Sequence, residues 1–172
     1  VLLCALVTGS TLKGFKSAGD DKELVLFTWE GMFPQEVLDD FEKETGVKVI
    51  YSNFDTDETM LEKLAMAKGG DYDIVIADDY ILETAIKEGL AEKLDKKSLE
   101  NIGNINSLYQ GQFYDPDDEY TVPYGEGIPL IVYDPDQVDI EIKGYKDLWD
   151  SSLEDSIALI ANYRVINGIT QL

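Results

Sequence analysis

Residues 23–51 read ELVLFTWEGMFPQEVLDDFEKETGVKVIY, and this stretch decides the fold. It begins with an apolar run of strand length at 24–27 and ends with another at 47–51. Between the two runs, Gly46 stands where a helix would end. The apolar residues before it recur at helical spacing: Phe33, Val37, Leu38 and Phe41. A strand, an amphipathic helix and a second strand in this order predict an α/β fold.

The same alternation continues beyond residue 51. Asp57 stands where it can cap a second helix, whose apolar face ends before Gly69-Gly70. Residues 73–77 form a third apolar run, and a third helical pattern ends at Gly89. Strands that are apolar throughout and alternate with amphipathic helices predict a parallel sheet covered by helices on both faces.

The second part of the chain is less regular, and we interpret it as the beginning of a second α/β lobe. We expect a fourth strand over 128–133, a short helix over 145–149, a fifth strand over 157–161 and a helix from about residue 163. No cap or stop signal precedes the last residue, which suggests a truncated chain. The expected division is therefore a first lobe over 22–126 and a hinge with an incomplete second lobe over 127–172.

The first 21 residues have a different character. Residues 1–7 are apolar and resemble the end of a signal-peptide core, while 8–21 are rich in Gly, Ser, Lys and Asp and resemble a tether. Leu3 before Cys4 argues against lipidation of that cysteine, because a small residue is expected there. The alternative is an ordinary buried strand. A remnant of a secretion signal would place the protein in the periplasm or outside the cell, associated with its surface.

The charge balance favours cationic ligands. The 172 residues contain 35 Asp plus Glu against 14 Lys plus Arg, a formal net charge of −21, with 44% apolar and 28% charged residues. Such a field repels nucleic acid and attracts cations. Acidity also keeps a secreted protein soluble, and this simpler cause is sufficient to explain it.

Missing residue types exclude several function classes. The chain has no histidine, which rules out Ser-His-Asp and Cys-His catalysis within it and any His-ligated zinc. Arg164 is the only arginine, so a clamp on an anionic ligand is difficult to build. No glycine-rich phosphate loop is present. The acids at 55–57 and 115–119 lack the glycine and final glutamate of an EF-hand loop. We expect neither a metal site nor a cofactor.

Candidate binding residues follow the predicted strands. In open parallel sheets, ligands bind at the carboxyl ends of the strands. An aromatic face attracts an ammonium group, and a carboxylate holds it by a charged hydrogen bond. Taken singly, Trp29 could equally be a core residue and Asp78 a helix cap. The residues that the predicted strand ends bring to this edge are Trp29, Glu30, Asp78, Asp79, Tyr80, Asn162 and Tyr163.

Several short motifs in fixed order resemble the spermidine/putrescine-binding proteins of ABC importers. The resemblance covers about residues 23–160. It rests on LFTW at 26–29, FEKETGVKVIYS at 41–52, DETM at 57–60, YDIV at 72–75, KEGL at 87–90 and VPY at 122–124.

The resemblance implies a periplasmic-binding-protein-like fold (type II) with two α/β lobes that close on a ligand, and a permease in the membrane as partner. It implies a monomer, no catalysis, and a cleft that contains Trp29 and Tyr80. Glu30 and Asp78 stand where the family has hydroxyl residues. Asn162 and Tyr163 fall near the family's paired acids, so carboxylate is lost in the second lobe and gained in the first. A cationic ligand fits this exchange, while the particular polyamine stays open.

Other functions remain as alternatives. A related solute-binding protein for a sugar, iron or another osmolyte is the second hypothesis, and ten tyrosines suit a carbohydrate. A glycosidase-type enzyme is a distant third, because nothing selects two carboxylates as an acid–base pair. Closure needs both walls of a cleft, so we expect this chain alone to bind polyamine weakly. We also expect exposed apolar surface at 128–133 and 157–161.

Overall fold

The structure, a computed structural model, describes residues 2–7 and 22–171. By compactness the chain divides into two units, Val1–Gly127 and Ile128–Leu172. All the strands described lie in the first unit, where they form one sheet with the order β3-β2-β4-β1-β5. The strands are β1 (Leu2–Val7), β2 (Glu23–Thr28), β3 (Lys48–Asn53), β4 (Ile74–Asp78) and β5 (Thr121–Glu126).

The predicted parallel arrangement is confirmed for three strands. β2 pairs with β3 in parallel from Glu23 opposite Lys48 to Thr28 opposite Asn53, and with β4 through Leu26 opposite Ile74. Crossover helices make this possible: α1 (Gln35–Thr45) joins β2 to β3, and α2 (Asp57–Met66) joins β3 to β4. α3 (Asp79–Lys87) follows β4 directly. The carboxyl ends of β2 and β4 therefore lie at the same edge of the sheet.

The hydrophobic core lies on the side of the sheet that α2 and α3 cover. Phe27 and Val75 alternate with Leu26 and Ile76, and only the first two belong to the main cluster. The apolar faces of α2 and α3 add four fully buried members to this cluster: Met60, Leu64, Leu82 and Ala85. α1 is different: it buries no residue, and its Val37 and Phe41 are exposed. The prediction of helices on both faces is thus confirmed fully for the face that α2 and α3 cover, whereas α1 buries no residue.

The helix ends explain where the elements stop. Gly46 adopts a left-handed conformation with φ of 68° and ends α1, as predicted, because glycine has no Cβ to clash there. The predicted cap of α2 was one residue off. Thr56 is the N-cap and accepts a hydrogen bond from the amide of Thr59, so the side chain of Asp57 is free for another role.

The N-terminal apolar segment is part of the sheet. β1 lies between β4 and β5 and pairs antiparallel with both, with Cys4 opposite Ala77 and Pro123. Leu2–Val7 therefore have the strand conformation that the alternative interpretation describes. The predicted tether at 8–21 lies outside the described residues.

The second unit contains no strand among its described residues, so the strands predicted at 128–133 and 157–161 are wrong. A strand requires a neighbour to which its amides and carbonyls can bond, and a sequence pattern does not show whether that neighbour is present. The strand near this point of the chain is β5, at Thr121–Glu126. The predicted short helix forms as a 3₁₀ helix, Tyr145–Trp149, and the last predicted helix is α4 (Tyr163–Thr170).

The predicted apolar exposure of the second unit is confirmed. Val132 is 90% exposed, and Leu130 and Ile160 are also largely exposed. A cavity of about 370 Å³ lies within this unit and is lined almost entirely by aliphatic side chains. It has no carboxylate in its lining and therefore does not suit a cationic ligand.

None of the helices in the described ranges is long and apolar enough to span a membrane.

Candidate functional site

The candidate site lies where β2 and β4 end. Because the strands run in parallel with Phe27 opposite Val75, Trp29 and Asp78 leave the sheet at neighbouring positions of one edge. Trp29 and Tyr80 are half-buried and pack against the same core cluster. The structure therefore packs these two predicted aromatic residues against one and the same core cluster.

Tyr51 holds the segment around Trp29. Its hydroxyl donates a hydrogen bond to the Trp29 carbonyl at 2.6 Å and accepts one from the amide of Met32 at 3.2 Å. The indole ring lies 5.1 Å from the Phe54 ring, tilted by 59°. Trp29 is half-buried, so it contacts the core cluster and still keeps part of its surface accessible to solvent.

A pair of carboxyl groups lies at the end of β4. Asp57, only 4% exposed, has its side chain within hydrogen-bond reach of the Asp78 side chain. Its Oδ2 accepts a hydrogen bond from the Tyr80 hydroxyl at 2.8 Å, and its Oδ1 accepts a longer one from the Asp78 amide at 3.4 Å. One buried carboxyl thus contacts both of the predicted site residues that follow β4.

This arrangement raises the pKa of both carboxyl groups. Burial is the main cause for Asp78, followed by the charge of Asp57 and the hydrogen bond between them, and its pKa rises from 3.8 to about 7. Burial also raises the pKa of Asp57, against the opposing effect of the Tyr80 hydrogen bond. Removing a carboxylate from water disfavours its charge, and a second carboxylate beside it adds to the effect.

The capping alternative for Asp78 is wrong. Asp78 occupies the N-cap position of α3, but its side chain makes no capping hydrogen bond. The next residue, Asp79, accepts the amide hydrogen of Tyr80 at 2.6 Å instead. The carboxyl of Asp78 is therefore available to Asp57 or to a ligand.

The remaining predicted residues are Glu30 in the first unit and Asn162 and Tyr163 in the second. Glu30 lies in an exposed turn after β2. In the second unit, the Asn162 side chain caps α4 by accepting hydrogen bonds from the amides of Arg164 and Val165. Tyr163 is 58% exposed, and the Arg164 guanidinium lies 5.1 Å from its ring centre.

Sequence reasoning missed Asp57 as a site residue, because an acid before a helix was sufficiently explained as its cap. The available signal was Thr56, which is also one of the preferred N-cap residues. With Thr56 as the cap, Asp57 falls in the first turn with no capping role to explain it.

The structure gives no sign of a metal centre. In the described ranges, no group of three or more Cys, Asp or Glu side chains is arranged to hold a metal ion. The acids at 115–119 stabilise their own loop. Asp115, 4% exposed, accepts hydrogen bonds from the amides of Glu119, Tyr120 and Thr121.

Comparison with known proteins assigns the family. Residues 36–155 match the bacterial extracellular solute-binding proteins. The chain belongs to this family.

Two curated relatives of this solute-binding protein are named for the polyamines that they bind. The spermidine/putrescine-binding periplasmic protein of Salmonella typhimurium is 34% identical over 164 residues, which are 94% of this chain and 47% of the relative. The putrescine-binding periplasmic protein SpuD of Pseudomonas aeruginosa is 36% identical over 138 residues, 79% of this chain and 37% of the relative. The chain thus spans about half the length, or less, of the curated relatives it matches.

A solved structure supports the fold. The substrate-binding protein PotD of a spermidine/putrescine ABC transporter from Streptococcus pneumoniae, in complex with calcium and HEPES, superposes with a TM-score of 0.71. It is 32% identical, and the match covers 86% of this chain and 46% of that one. The predicted resemblance to the spermidine/putrescine-binding family and the type II periplasmic-binding-protein-like fold are confirmed.

Proposed function

We propose that this chain is the N-terminal half of an extracytoplasmic solute-binding protein that captures a small polyamine. The captured polyamine passes to an ABC permease in the membrane. The protein acts without catalysis or a cofactor, in the periplasm or outside the cell, and as a monomer that binds no nucleic acid. The named ligands of its relatives, spermidine and putrescine, support the ligand class.

The observation that carries the ligand class is the carboxyl pair Asp57–Asp78 beside Tyr80, with Trp29 at the adjoining strand end. A primary ammonium group needs carboxylate acceptors to replace its hydration and an aromatic face to lower the cost of burial. The contribution of such a ring is about 0.5–2 kcal/mol, depending on how far the cation is desolvated. Neutral sugars also use aromatic faces and can donate hydroxyl hydrogen bonds to carboxylates, but they carry no positive charge to balance two adjacent acids.

Glu30, Asn162 and Tyr163 belong to the proposal as further ligand-binding residues. Glu30 follows Trp29 in an exposed turn and can add a negative charge at the same strand end. The other two stand at the start of α4 in the second unit. Their part in binding follows from the family resemblance and requires closure of two lobes around the ligand.

The test uses the indole of Trp29 as a reporter. The chain has two tryptophans, and Trp149 is 73% exposed, so a W149F background isolates the fluorescence of Trp29. Spermidine and putrescine are titrated into this variant, with the neutral diol analogue of putrescine and a maltodextrin as matched controls. We expect a saturable change with the amines alone.

Other outcomes identify the alternatives. A response to maltodextrin instead of the amines favours a carbohydrate-binding protein, and turnover of a chromogenic glycoside reveals an enzyme. Binding by the isolated chain should be weak, because one cleft wall is incomplete. Submicromolar spermidine affinity of these 172 residues alone would contradict the two-lobe proposal.

A further inference from the structure

The site contains two adjacent acids, Asp57 and Asp78, with no ion-pair partner among the described residues. Ion pairs in residues 22–171 engage Glu23, Glu83, Glu119 and Glu141, and none involves Asp57 or Asp78. Among the described residues, the side chain that donates a hydrogen bond to Asp57 is the neutral Tyr80 hydroxyl. Two adjacent carboxyl groups without a cation cannot both ionise easily, because like charges in a half-buried place repel strongly.

The surrounding charges act mostly in the same direction. Glu58 in the first turn of α2 raises the pKa of Asp57, and Asp79 in the first turn of α3 raises that of Asp78. The sum of these effects favours one proton on the pair near neutral pH.

We propose that Asp57 and Asp78 hold one proton between them in the ligand-free protein, and that a bound primary ammonium group displaces it. The proton leaves to solvent, and the ammonium hydrogens take its place between the carboxylates. Capture of the cation and release of a proton are thereby coupled. This inference rests on the proposed function, since it describes the same site, and it makes Asp57 a binding residue.

Coupling between amine binding and proton release makes the affinity for the amine depend on pH in a defined direction. Below the pKa of the pair, each bound ammonium releases one proton, so affinity rises about tenfold per pH unit. Above that pKa the pair is already ionised, and affinity no longer depends on its titration. A physical consequence is that the site holds its ligand less tightly in acidic surroundings, although the ligand keeps its charge there.

The first experiment needs no ligand. Carbon-13 NMR titration of the aspartate carboxyl groups should show Asp78 titrating near neutral pH in the unmodified chain. D57N should lower the pH at which Asp78 titrates, because the asparagine amide removes the second negative charge while still accepting the Tyr80 hydrogen bond. Burial, the main cause of the raised Asp78 pKa, keeps its titration above the ordinary 3.8. D55N is the matched control, since Asp55 is exposed and lies in the same loop. Acidic titration of Asp78 in the unmodified chain would overturn the shared proton.

The second experiment counts protons. Calorimetric titration of spermidine in buffers of different ionisation enthalpy should show proton release below neutral pH for the unmodified chain and for D55N. Release should be smaller for D57N, in which the second acid is gone and only burial and Asp79 still raise the Asp78 pKa. If D57N binds too weakly to measure, the NMR result for D57N decides the shared proton. Binding without proton release overturns the coupling and leaves the proposed function intact. A near-neutral Asp78 with no binding of any amine overturns the proposed function while the shared proton stands.

Discussion

The hydroxyl of Tyr80 donates a hydrogen bond to Oδ2 of Asp57 at 2.8 Å, which ties the first turn of α3 to the first turn of α2. The carboxyl that receives this bond is almost fully buried, and its other oxygen faces the Asp78 amide. One tyrosine therefore connects the packing of two helices to the charge state of the candidate site.

Replacing Tyr80 with phenylalanine should destabilise the protein by about 1–2 kcal/mol, because a buried carboxyl loses a donor. Urea unfolding followed by circular dichroism measures this change. Y109F is the control: Tyr109 donates to Glu126 at 2.7 Å on the exposed surface, where water can replace it, so we expect less than about 0.5 kcal/mol. Equal losses of unfolding free energy in the two variants would show that the Tyr80–Asp57 hydrogen bond contributes no more to stability than an exposed one.

Stability should fall as pH rises through the titration of Asp78. Its folded pKa of about 7 lies above the ordinary 3.8, so the protonated form is favoured by folding. The contribution is complete below about pH 4 and is lost by the time the pH passes about 7. Solvent screening reduces it to about 1–2 kcal/mol.

Urea midpoints across this range should fall less steeply in D78N than in the unmodified chain. D55N corrects for general charge repulsion in so acidic a protein, since it removes one exposed charge from the same region. The same slope in all three proteins would contradict a raised Asp78 pKa.

Thr28 provides a test of how a buried hydroxyl without a hydrogen-bond partner affects stability. Its side chain is fully buried at the end of β2, and its Oγ1 has no hydrogen-bond partner among the described residues. T28V should therefore stabilise the protein by about 1 kcal/mol, because a methyl group of the same shape loses no hydrogen bond. Thr121 is the matched control, since its buried hydroxyl donates to Asp115 at 3.0 Å, and T121V should destabilise by a similar amount. A loss of stability in T28V would mean that the hydroxyl has a partner, such as water.

Removal of residues 1–7 should weaken the hydrogen bonding of β4 and β5, the two strands that pair with β1. β1 bonds to β4 and β5 on its two sides, so its deletion leaves both facing edges unpaired. Hydrogen exchange measured by NMR should become faster for amides of β4 and β5. The β2–β3 ladder is the internal control, because neither strand borders β1. Uniform exchange throughout the sheet would instead indicate global destabilisation.

The second unit should cause self-association of the isolated chain. Leu130 and Val132 are 78% and 90% exposed on a strongly apolar segment. Exposed apolar patches of this kind promote association. Sedimentation velocity should show concentration-dependent species that decrease in a V132K variant. M66K is the control, because Met66 is 78% exposed but lies at the end of α2 in the first unit. An equal decrease in both variants would assign the effect to charge alone.

The sequence by itself determined the βαβαβ core and the edge of the sheet at which the candidate residues lie. The apolar runs of β2 and β4 and the periodic faces of α2 and α3 are local patterns, and the connection through helices makes the strands parallel. Trp29 and Tyr80 could be placed together for the same reason, since the carboxyl ends of neighbouring parallel strands coincide. The short motifs in fixed order indicated the family.

Only the tertiary structure decided which backbone segments pair and which acids meet. Residues 128–133 have the composition of a strand but no neighbour to bond to, whereas Leu2–Val7 enters the sheet because β4 and β5 offer it two edges. Asp57 reaches Asp78 and Tyr80 across 21 and 23 residues of sequence. Such pairings depend on long-range packing, which local propensity and periodicity do not encode, and the charge state of the site follows from that packing.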